Sequence, residues 1–165
     1  MTFAPRTWVV GEVVTAALLN QEIRDQISSM LAAWTSYTPA WTAATTNPVL
    51  NNGSIAGLYM KLGRTVQVHA EMTAGSTTTY GSGQWSMSLP AASTTSPGIR
   101  IGTAQASGSI RAAGHTTVNN NATTFGIWFP ATTAVSNLSA CTATVPFTWA
   151  NTNILRCTLT YEAAA

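Results

Sequence analysis

His69 and Glu71 stand two positions apart, a spacing that puts both on one face of a strand, and an imidazole beside a carboxylate is the least that acid–base catalysis requires. Around that pair the supply of reactive groups runs out. Glu162 is the only other carboxylate beyond Asp25, and His115 has no acidic neighbour in sequence. Cys141 and Cys157 lack the spacing of a metal site. No G-x-S-x-G elbow occurs, and the glycine pairs Gly53/Gly57 and Gly81/Gly83 lack the strand-to-helix setting of a phosphate cradle. His69 and Glu71 therefore read as a solvent-facing polar patch, and the thiols as two buried, unpaired cysteines. We expect no enzyme, with no catalytic residue, metal or cofactor; a hydrolase built on paired carboxylates lacks its second acid.

The rest of the composition points towards assembly. Three of the five acidic residues, Glu12, Glu22 and Asp25, lie in the first 25 positions, and the chain beyond them is nearly uncharged and rich in Thr, Ser, Ala and Asn. Charged residues make up 7% of the 165-residue chain, against about 25% in ordinary soluble domains. Six Trp, four Tyr and four Phe supply apolar area enough for an ordered core, so low charge does not mean disorder. The seven bases are scattered singly apart from Lys61 and Arg64, which provides no stripe for tracking phosphates and argues against nucleic acid. No signal-peptide core and no run of 18 apolar residues is present, so the expectation is a chain folded in a cytoplasm without membrane insertion.

Two kinds of element must position whatever works here. Met1 to Val14 reads as an extended arm, with Trp8, Val9 and Val10 as candidates for docking to a neighbouring protein. Thr15 then caps a helix expected to run to about Ala33, along which Ala16, Leu19, Ile23, Ile27, Met30 and Trp34 recur every three or four residues. A lone helix of that length is marginal in water, and Ile on the seam favours bundles larger than dimers. Leu19, Ile23, Ile27, Met30 and Trp34 are the expected oligomer interface, most simply of a homotrimer.

After Trp34 the period falls from 3.6 to 2. Val66, Val68, Ala70 and Met72 alternate with Gln67, His69 and Glu71; Trp85, Met87 and Leu89, then Phe125, Ile127 and Phe129, then Leu155, Cys157, Leu159 and Tyr161 repeat the pattern. Weaker candidates cover 37–42, 55–62, 99–106 and 114–118, and Gly75 to Gly83 reads as a hairpin loop. About eight short strands with regular turns indicate a mainly β fold, an antiparallel jelly-roll-like β-sandwich with one N-terminal helix. Residues 1–35 form the arm and oligomerisation helix and residues 36–165 the head. Tyr80, Trp128 and Trp149 fall in or beside loops or on outward faces, where exposed rings flanked by Asn and Thr suit a neutral glycan; the alternative places them in the core or an intersubunit seam.

The order of several short motifs carries a resemblance. W-V-V-G-E-V-V-T-A-A-L-L-N-Q-E-I-R-D-Q (Trp8 to Gln26), S-Y-T-P-A-W-T (Ser36 to Thr42), N-P-V-L-N-N-G-S (Asn47 to Ser54), Y-M-K-L-G-R-T-V (Tyr59 to Val66) and S-L-P (Ser88 to Pro90) resemble small tail-associated structural proteins of tailed bacteriophages and prophages. The resemblance implies a virion component whose N-terminal helix trimerises or docks to other virion proteins. Its β head would be a compact knob on a baseplate, tail tip or fibre tip that contacts a host surface glycan. Similar folds serve as capsid decoration proteins, and a free carbohydrate-binding module is the reading from a different class.

Overall fold

A computed structural model describes residues 6–131 and 137–164. Alternating apolar and polar residues become strands wherever turn formers bracket them. The clearest is β4 (Thr65–Thr73), in which Val66, Val68, Ala70 and Met72 are buried while Gln67, His69 and Glu71 face solvent. Its partner β3 (Ser54–Leu62) returns through the two-residue turn Gly63–Arg64, and Gly63 takes the positive φ of 59° that such a turn demands.

The remaining strands are β1 (Thr35–Tyr37), β2 (Trp41–Ala43), β5 (Trp85–Ser88), β6 (Arg100–Ser107), β7 (Arg111–Val118), β8 (Thr124–Pro130), β9 (Leu138–Ala140) and β10 (Ile154–Glu162). All pairings are antiparallel, in the order β1-β3-β4-β10-β6-β7-β8-β5-β2, with β9 added on β8. The mainly β, antiparallel expectation holds, and the strands hydrogen-bond into one continuous sheet. That sheet must curl, because its two edge strands are consecutive in the chain. Only Thr38–Ala40 separates β1 from β2, and four residue steps reach no further than about 14 Å. The result is a half-barrel with one core inside.

Two connections depart from the sequence expectation. The segment 37–42, expected as one strand, divides between β1 and β2 on opposite edges of the sheet, broken at buried Pro39. Gly75 to Gly83 is not a hairpin loop: β4 leads to β5, whose partners are β8 and β2. The connection instead pairs with the loop after β2 through bridges Val49–Thr79 and Thr46–Ser82, and Asn52 Oδ1 accepts from the Thr77 amide at 2.9 Å. Gly and Thr mark a turn in sequence without saying which strands it joins.

The core is aromatic at one end. Trp41 meets Trp85 edge-on at 4.7 Å, Trp85 lies 5.1 Å from Trp149, and Phe147 packs on Trp149 at 5.0 Å. The Trp85 indole donates to Tyr80 O at 3.0 Å and the Trp149 indole to Val145 O at 3.2 Å, so burial strands neither N–H. Cys141 and Cys157 are both buried and unpaired.

The N-terminal helix forms as expected at its start and stops short at its end. The Thr15 hydroxyl accepts from the Leu18 amide at 3.3 Å, capping α1 (Ala16–Leu19). A π-helical turn, Asn20–Arg24, follows, and α2 (Asp25–Met30) closes the helix ahead of Ala33. Before it the chain turns rather than extends: Val10 and Gly11 form a bend closed by the Glu12 amide on Val9 O at 3.1 Å. Residues 1–5 of the expected arm lie outside the described part. Among the described residues, no helix is long and apolar enough to cross a membrane.

Candidate functional site

The groups that could do chemistry end up apart or engaged. Glu71 accepts from Arg156 Nε at 2.7 Å, across the β4–β10 register that sets the two opposite each other. His69, one pleat along, packs against Trp34 rather than forming a couple with Glu71. Glu162 faces Arg64 at 3.1 Å and Arg100 at 3.9 Å. Among the described residues no three His, Cys, Asp or Glu side chains cluster as metal ligands would.

The buried ionisable groups are tuned away from reactivity. Burial pushes the Cys157 thiol well above its usual range, and Cys141 rises through burial and then the proximity of Cys157. Burial likewise raises Tyr37, Tyr80 and Tyr161. Tyr161 reaches about 12, although its hydrogen bonding to Ala91 partly opposes the rise. Its hydroxyl donates to Ala91 O at 2.7 Å and thereby anchors β10 to the loop after β5.

Among the described residues three surfaces stand out. The first is the helix: Leu19, Ile23, Ile27 and Met30 are 44%, 51%, 51% and 53% exposed. Among the described residues its turns pack chiefly on one another. Arg24 pairs with Asp25 on its own helix at 2.8 Å. In the arm ahead of it Trp8, Val9 and Val10 are all exposed, and Arg6, paired with Glu12, lies over the Trp8 ring.

The second is a shallow hollow of about 260 Å³ on the outer face of β3, β4 and β10. Leu58, His69, Glu71, Arg156 and Thr158 line it, with the Glu71–Arg156 pair filling its polar side.

The third is a groove of about 330 Å³ on the outer face of β5, β7 and β8. Register explains it. Thr117, Gly126 and Ser86 stand opposite one another on adjacent strands and make a row across the sheet. Outward positions of β8 alternate as Thr124, Gly126 and Trp128, so a large ring stands beside a residue with no side chain. The half-buried Trp128 donates its indole N–H to Thr117 Oγ1 at 2.8 Å, which fixes the ring on the sheet. A Cβ at residue 126 would lie 3.1 Å from Gln84 Nε2 and 3.3 Å from Trp128 Nε1, so glycine lets both side chains settle close over the strand. Asn119, Ala122 and Ile99 complete the rim.

The three aromatics picked out for a glycan therefore part company. Trp128 lines the groove. Trp149 does not face solvent at all, being 3% exposed, and its place is the aromatic core. Tyr80 is half-buried and stacks on Trp85 with its hydroxyl inside. Gln84, Ser86, Thr117 and Asn119 are not legible in the sequence, because they come from segments that meet β8 only through the fold; the alternation Thr124, Gly126, Trp128 is the local signal of a ring beside a residue without a side chain. Trp34, expected on the helix seam, lies beyond the last helical turn against His69.

No family model, curated protein or solved structure matches the chain.

Proposed function

We propose that the protein is a non-enzymatic structural component of a phage virion, a homotrimeric knob at a tail tip, baseplate or fibre tip that contacts the host surface. The observation that carries this reading is the uncovered helical stripe. Leu19, Ile23, Ile27 and Met30 leave about half their surface to solvent on a helix whose turns, among the described residues, pack chiefly on one another. Isolated helices of this length are marginal in water, and burying such a stripe contributes about 25 cal/mol for each Å² of apolar surface removed. Three copies meeting along the stripe satisfy the helix and set three heads side by side.

The nearly uncharged surface supports the same reading, since heads that meet have few charges to desolvate. The opposite walls of the curled sheet, facing each other across the aromatic core, act as the two layers of a jelly-roll-like head. The order of motifs, which resembles that of phage tail components, supports a place on the particle. Trp8, Val9 and Val10, exposed ahead of the helix, are the surface offered to a neighbouring virion protein.

Light scattering on the purified chain tests the assembly. The expected mass is three times 17.3 kDa, falling to the single-chain value in Ile23→Asp while the strand signal in circular dichroism persists. A wild-type chain that stays monomeric at high concentration overturns the reading.

A further inference from the structure

We propose that the groove on β5, β7 and β8 is a binding site for a neutral saccharide, with Trp128 as the stacking platform. This rests on the reading of the knob as a host-contacting protein and says where on the head that contact is made, and with what chemistry.

Charge decides the ligand class first. The polar groups lining the groove are the amides of Gln84 and Asn119 and the hydroxyls of Ser86, Thr117 and Thr124. No Lys, Arg, Asp, Glu or His is among them. A phosphate, sulfate or carboxylate entering here would give up water without meeting a cation, and an amine would meet no carboxylate. Amides and hydroxyls each offer donors and acceptors together, which is what a ring of sugar hydroxyls requires.

Shape decides next. A pyranose has an apolar C–H face and a polar rim, so it needs a fixed flat ring beside hydrogen-bonding groups. The hydrogen bond from Trp128 to Thr117 supplies the fixed ring at no further ordering cost. Gly126 lets the Gln84 amide and the Trp128 indole come close over β8, where a methyl would crowd both, and so brings a hydrogen-bonding group beside the ring. The volume of about 330 Å³ lies at the small end of the roughly 300–1,000 Å³ range of ligand sites, which suits one or two sugar rings. An open groove of this size binds weakly alone, and three heads on one trimer would raise the avidity.

The test is a titration of the ¹⁵N-labelled full chain, followed by amide and indole resonances, with glucose, galactose, mannose, N-acetylglucosamine and neutral oligosaccharides of these sugars, and with glucuronic acid as the charged control. At least one neutral sugar should shift the Trp128 indole signal and the amides of Thr117 and Gly126 saturably. Asn119→Ala, which alters only an exposed side chain, should weaken that response about tenfold, what one lost hydrogen bond is worth. Trp128→Ala should abolish it. No saturable response to any neutral sugar, shifts confined to another face, or equally tight binding of glucuronic acid would each overturn the proposal. The two readings separate cleanly: a trimer blind to sugars loses the groove alone, and a sugar-binding monomer loses the assembly alone.

Discussion

The indole of Trp34 meets the imidazole of His69 edge-on, with centroids 4.6 Å apart and ring planes at 87°. Between the end of α2 at Met30 and the start of β1 at Thr35, Leu31, Ala32 and Ala33 are exposed. The Trp34–His69 contact therefore ties the end of the helical arm to the outer face of β4.

Replacing Trp34 by Ala should release that tie without opening the core. The cost expected is about 0.5–1.5 kcal/mol, the worth of an aromatic pair beyond its burial, at the lower end because His69 is exposed. Hydrogen exchange should quicken across residues 31–37 and stay unchanged in β6, β7 and β8. Equal quickening throughout the sheet would mean that Trp34 supports the whole head.

Trp149 and Trp128 should answer alanine substitution in opposite ways. Trp149 sits between Phe147 and Trp85 in the aromatic end of the core, so Trp149→Ala leaves a cavity and should lose about 3–5 kcal/mol in urea unfolding. Trp128 is half-buried on the outer face, and Trp128→Ala should cost clearly less. A Trp149→Ala protein that unfolds at the wild-type urea concentration would contradict the assignment of that ring to the core.

Sequence alone could not separate these two rings, although it resolved the strands well. Alternation in Val66 to Met72 and in Leu155 to Tyr161 identified the buried face of β4 and β10 residue by residue, because the side-chain period of a strand is local information. The neighbour of each strand is not local. The pairing of β10 with both β4 and β6 rests on backbone hydrogen bonds between segments distant in the chain, such as Arg156 with Glu71 and with Gln105, and leaves no mark in either segment. Trp149 stands beside the turn formers Ala150 to Asn153, and only the folded chain brings Phe147 and Trp85 against its ring. The groove at Trp128 was half legible for the same reason: β8 contributes the ring, Gly126 and Thr124, and Gln84, Ser86, Thr117 and Asn119 come from segments that only the fold brings beside it.

Alkali should unfold the protein earlier than a chain without its buried acids. The thiols of Cys141 and Cys157 and the phenols of Tyr37 and Tyr161 titrate higher folded than unfolded, so the folded state keeps their protons longer. Stability from this source is complete below the unfolded values, 9.0 for thiol and 10.0 for phenol, and falls as pH rises above them, through about 12 for Tyr161. Thermal melts should therefore hold steady to about pH 9 and then decline, with a shallower decline in Cys157→Ala. In the folded protein at neutral pH a thiol reagent should modify neither cysteine until denaturant is added. Rapid labelling of the native chain would show that the core opens more readily than its packing implies.

Gly57 and Tyr37 offer the sharpest test of how β1 is held. The two stand opposite in the β1–β3 register, and the Tyr37 ring lies directly over the glycine. A Cβ built on Gly57 would fall 2.8 Å from Cδ1 and Cζ of that ring, closer than real contacts allow, so Gly57→Ala must push the ring aside. β1 is three residues long and pairs only with β3, so little else resists its displacement. The single substitution should cost about 1–3 kcal/mol, the usual penalty of overpacking. In a Tyr37→Ala background the clash disappears, and the same Gly57→Ala change should be neutral or slightly stabilising, since alanine restricts the unfolded chain more than glycine. Urea unfolding of the four proteins in that double-mutant cycle gives the coupling directly. Additive losses would mean that the glycine is required by the backbone and not by the ring above it.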